Sequence, residues 1–159
     1  VSEICAYHEA GHAAWAVIRG GRIASISIDP VWEEGPRQDG VVEVEWPPSM
    51  SDSDVARSGI EVSLAGPVAE MIYSGDPFHP ATMPEWSGDW QTAWNLAASI
   101  WKDQKLRLRK LEAITRYLYE QLSDDNLWQA IASLSDELLA HEQMEYDEVH
   151  ETLLRWLPS

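Results

Sequence analysis

Two histidines four residues apart, with a glutamate directly after the first, interrupt an otherwise apolar run, AYHEAGHAAW, Ala6 to Trp15. Helical positions i and i+4 share a face with Cβ atoms about 5–6 Å apart, so His8 and His12 can meet at one metal ion. Glu9 then sits beside that ion, placed to act as general base toward metal-activated water. The metal is what makes such chemistry accessible at neutral pH, because it lowers the pKa of bound water to about 7. Burying one carboxylate and two imidazoles without partners costs several kcal/mol, and a cation supplies the missing partner. Two histidines do not complete a catalytic zinc site, and AAWAVIRGG, just after the motif, contains no third. By chemistry alone the third ligand is one of Glu61, Glu70, His79 and Asp89, and spacing does not choose among them.

The rest of the chain reads as a single domain over residues 1–159, long enough to bury a real core. The first helix is expected from about Ser2, as N-cap, to Arg19, where a glycine pair stops it. RIASISI (Arg22 to Ile28) and GVVEVEWPP (Gly40 to Pro48) alternate polar and apolar residues and predict two strands; the turn-rich DPVWEEGPRQD between them is expected to be exposed. Capping residues and helical periodicity follow from Ser51, with Pro67 expected to kink or restart that helix. A proline-rich loop spans Asp76 to Trp86. Helices are then predicted over roughly 88–103, 105–122, 124–141 and 146–157. The expected fold is mainly α with a small β element in the N-terminal third, and the nine tryptophans fit core and helix seams.

The order of motifs resembles the FtsH-type zinc metallopeptidases, the protease domain of membrane-bound AAA proteases. AYHEAGHA is similar to that family's signature, ISIDP and GVVEVEWP to its first two strands, and VSLAGPVAE to its Ala/Gly-Gly-Arg-x-Ala-Glu helix. SGDWQTAWNLA resembles the helix that brings the third ligand, and LLAHEQMEYDEVHETL a late Leu-Leu-Glu-x-Glu stretch. The resemblance implies a helical bundle with an N-terminal metal-binding helix, one Zn2+ held by His8, His12 and Asp89, and Glu9 as catalytic base. Glu70 is the runner-up ligand; its ordinary reading is a helix carboxylate or a partner behind a ligand. Pro67 stands where the family usually carries arginine. The segment before Asp89 is longer than usual, and its loop can narrow the site or be inert. His79 reads as a loop residue, and Cys5 as a small apolar residue in the core.

Function follows as an expectation: a zinc-dependent endopeptidase acting on flexible or unfolded polypeptides. A catalytically silent zinc-binding interaction module and a zinc hydrolase of non-peptide amides are the rival readings. No Gly-x-x-x-x-Gly-Lys-Ser/Thr phosphate loop occurs, so a separate ATPase or adaptor is an expected partner. Hexameric rings follow from the resemblance, while a monomer or dimer suits a chain lacking the ATPase. The strand Val41 to Trp46 is either an edge that pairs with substrate or a buried member of the sheet. A net charge of −16 argues against nucleic acid, and no apolar run is long enough for a membrane span. The absence of a secretory-signal pattern and a lone cysteine suit a reducing compartment, giving a cytoplasmic expectation.

Overall fold

The computed structural model describes residues 2–28 and 42–158. Helix α1 (Ser2–Ile18) is apolar on nearly every side because it lies at the centre of the molecule. It packs most extensively on α2 (Asp52–Ser74), and on its other side against α5 (Asp125–His141). The two helices of the main seam approach closely at Gly11, where a Cβ would lie 2.6 Å from that of Ala69 and 2.7 Å from the Ala65 carbonyl oxygen. Ser2, expected as the N-cap, is already inside the first turn.

Helix α2 excludes a restart at Pro67, one of the two outcomes expected there. It is capped by the Ser51 hydroxyl, which accepts from the Asp54 N–H, ends on Gly75 in the left-handed region (φ 77°), and runs without a restart between them. A proline inside a helix costs about 3 kcal/mol through its missing donor and ring clash. Every residue from Ser63 to Met71 is buried, so packing on both sides offsets that cost.

The sheet is antiparallel with order β2-β1-β3, where β1 is Arg22–Ser27, β2 Val42–Glu45 and β3 Gln143–Glu145. Among the described residues β2 is therefore an edge strand. A register shift between Ile23 and Ser25 interrupts the pairing of β1 with β2. That irregularity lets Ile23 and Ile26, three positions apart, both reach the core, which strict alternation forbids. Strand β3 was not expected: it is three residues long and enters through Glu142, a non-glycine residue at φ 65°. The segment 29–39 lies outside the described residues.

Of the later helices, α3 (Ser87–Ala98) stops short of the predicted residue 103 and α6 (Tyr146–Leu154) short of 157. Between α3 and α4 (Gln104–Leu122) the chain turns. Asp103 caps α4 through the Leu106 N–H, and the buried Arg107 donates to the carbonyls of Trp101 and Lys102 while lying over Trp94. Two short 3-10 turns, Pro80–Thr82 and Pro84–Trp86, occupy the proline-rich loop. No helix among the described residues is long and apolar enough to cross a membrane.

Candidate metal centre

Two helices bring three potential ligand atoms to a common point. His8 and His12 project from α1, and Asp89 from the first turn of α3. His8 Nε2 lies 2.7 Å from Asp89 Oδ2 and 3.1 Å from His12 Nε2, and His12 Nε2 lies 3.4 Å from Asp89 Oδ2. The two histidines are buried, and the site lies under the α1–α2 seam.

The far ring nitrogens decide what the near ones can do. His12 Nδ1 is 2.6 Å from the Val62 carbonyl oxygen, which only accepts, so Nδ1 carries the hydrogen. His8 Nδ1 is 2.5 Å from Glu70 Oε2, a carboxylate, and donates likewise. In their neutral forms both rings therefore turn an Nε2 lone pair toward the other and toward a carboxylate. Three electron-rich atoms at such distances need a cation among them. Protons can play that part: burial pulls the His8 pKa down, but the Asp89 charge and its hydrogen bond more than reverse this and lift it to about 10. His12 is raised in the same contest between burial and Asp89. Burial acts to raise Asp89, yet the two imidazoles hold its carboxyl well below the usual carboxylate range. Two imidazole nitrogens and one carboxylate oxygen are also the donor set of a zinc site with a position left open.

The remaining sequence candidates fall elsewhere. Glu61 accepts from the Trp15 indole at 2.9 Å and faces Arg19 at 3.4 Å. His79 caps its own loop through the Ala81 N–H and donates to Glu112 at 3.0 Å. Glu70 meets the Nδ1 side of His8, away from the three clustered atoms, so it is not one of the group. Cys5 is buried in the apolar core. Glu9 is 3 % exposed and lines a cleft of about 220 Å3 with His12, Asp89, Val62, Thr92 and the edge-strand residues Val42 and Val44.

Two contributors escape inspection of the sequence. A Cβ on Gly66 would lie 2.4 Å from His12 Nε2, so only glycine leaves room for that ring. Trp86, buried at the end of the proline-rich loop, donates its indole N–H to Glu70 Oε2 at 2.7 Å, the same oxygen that holds His8. No protein-family model matches the sequence, and no curated protein matches it.

Proposed function

We propose that this protein is a zinc-dependent endopeptidase of the FtsH type, acting on flexible or unfolded polypeptides. The observation that carries the reading is the convergence of His8 Nε2, His12 Nε2 and Asp89 Oδ2 beside Glu9, at the wall of an open cleft. These three residues would hold the ion, with Glu70 and the Val62 carbonyl orienting the imidazoles. Zinc, when bound, supplies the Lewis acidity that makes water acidic near neutral pH and polarises a peptide carbonyl.

The chain's own residues do the rest. Glu9 takes a proton from the attacking water and returns it to the leaving amine, the shuttle expected of a carboxylate directly after the first histidine. Strand β2, with a free edge among the described residues, aligns an extended substrate by backbone pairing while Val42 and Val44 give it an apolar wall. A separate ATPase or adaptor would deliver folded substrates.

The retained Glu9 favours this reading over a silent zinc module, since a purely structural site needs no base. The test is Glu9→Gln. Cleavage of unfolded casein and fluorogenic peptides should fall by about 10²–10⁴-fold while zinc stays bound at one ion per chain. A variant that cleaves at the parental rate removes the mechanism, and a parent protein that takes up no transition metal removes the whole reading.

A further inference from the structure

Six of the chain's eleven lysines and arginines fall within residues 102–116, in a protein whose net charge is −16. Helix α4 supplies most of them. Lys105, Arg109 and Arg116 lie on its outward side, spaced by four and seven residues, and all are exposed. Helix stability does not explain them. No acidic residue occupies the first turn, and the cations crowd the N-terminal half, where the helix dipole disfavours them. Lys105 and Arg109 also stand at i and i+4 with like charge. Neither ion pairs nor hydrogen bonds to these three side chains occur among the described residues, although acids outnumber bases more than twofold along the chain. Two acids share that face: Glu112, four residues before Arg116, is engaged by His79, and Glu120, four residues after it, is exposed and forms no ion pair with it among the described residues.

Beside this stripe, between α2 and α4, opens a cleft of about 280 Å3 lined by Trp101, Ile114 and Tyr117; the one acid in its wall, Glu61, is engaged by the Trp15 indole and Arg19. Two further cations flank its tryptophan: Arg57 Cζ lies 5.5 Å and Lys110 Nζ 5.9 Å from the ring centroid. We infer that this face of α4, together with the cleft, is a docking surface for a short acidic polypeptide segment bearing an apolar anchor residue. Charge complementarity selects the sign of the partner, and the apolar floor selects the anchor.

Size selects its class. Lys105 to Arg116 spans about 16 Å along the helix, the length of about five extended residues. Nucleic acid or an anionic bilayer extends far beyond that and would meet the acidic remainder of the surface. A short peptide segment meets the stripe alone. The surface is separate from the metal cluster, so it stands whether or not the chain is a peptidase.

The test uses a fluorescein-labelled octapeptide of Glu and Asp with one central Leu, followed by fluorescence anisotropy on the whole chain. Micromolar binding is expected at about 50 mM salt, weakening at least about tenfold at about 300 mM. Arg109→Glu should weaken it about tenfold, and the triple variant K105E/R109E/R116E should abolish it. Arg155→Glu, at the end of α6, changes the net charge as much as R109E and should leave binding within about twofold. All four positions are exposed, and unchanged melting curves establish that the variants fold. The inference is overturned if the peptide fails to bind, if R155E weakens it as much as R109E, or if phosphatidylserine vesicles or a DNA duplex bind more tightly than the peptide.

Discussion

Both histidines of the candidate centre depend on residues whose own role is invisible from their chemistry. Trp86 is the clearest case, because its N–H and His8 compete for one oxygen of Glu70 and so fix where that carboxylate points. Trp86→Phe keeps an aromatic ring and removes the donor; zinc affinity of the folded variant, measured by competition with a chromophoric chelator, should fall about tenfold or more. Gly66→Ala should act more severely, since the added methyl occupies the place of the His12 ring. Loss of at least about tenfold in zinc affinity is expected there too, and parental affinity would show that the ring has another place to go. The histidine pair and Glu9 were legible at once, because their spacing carries the geometry of a helix. Asp89 was legible only through resemblance, as it lies 81 residues from His8 and nothing local links them. Gly66 and Trp86 were not legible at all: one matters through the approach of two helices, the other through a hydrogen bond across the fold.

At the scale of elements, periodicity foretold the helices and two strands, and failed where tertiary contacts overrule local preference. Pro67 marks a break by every local rule, yet a helix buried along that stretch runs through it. Strand β3 is too short to show alternation and exists because Ile26 pairs with Met144. A side chain of α6 adds a second tie to the sheet. The Ile23 N–H donates to His150 Nε2 at 3.0 Å, so His150 must be neutral there. Burial first, and the Arg22 charge second, hold its pKa below 6.5. The folded state thus binds fewer protons at this site than the unfolded chain. Its contribution to stability is full above the unfolded value and is lost as pH falls through the lower folded one. Thermal melts of metal-free protein between about pH 7 and about pH 5 should show a larger loss for the parent than for His150→Gln, which keeps an acceptor without a titrating ring. Parallel losses in the two proteins would show that this bond is not the pH-sensitive tie.

For the whole molecule, a bound ion adds stability that grows with the logarithm of its affinity. Zinc at about a thousandfold above its dissociation constant contributes about 4 kcal/mol, or roughly 10 °C in melting temperature for a domain of this length. Chelation should remove that increment from the parent and from Glu9→Gln alike, since Glu9 is not among the proposed ligands. Asp89→Ala should show a much smaller chelator effect, and a full-sized one would mean that Asp89 does not bind the ion. Composition was a poorer guide at this scale. The net charge of −16 says nothing of how charge is distributed, whereas five of the eleven cations are gathered on α4, a segregation that totals conceal.

Because the first histidine and the aspartate are 81 positions apart, a growing chain lacks the full ligand set until Asp89 has left the ribosome and the two helices have come together. On the proposed reading, a newborn copy is harmless to its neighbours until its tertiary structure closes. The fold would then serve as its own safety catch.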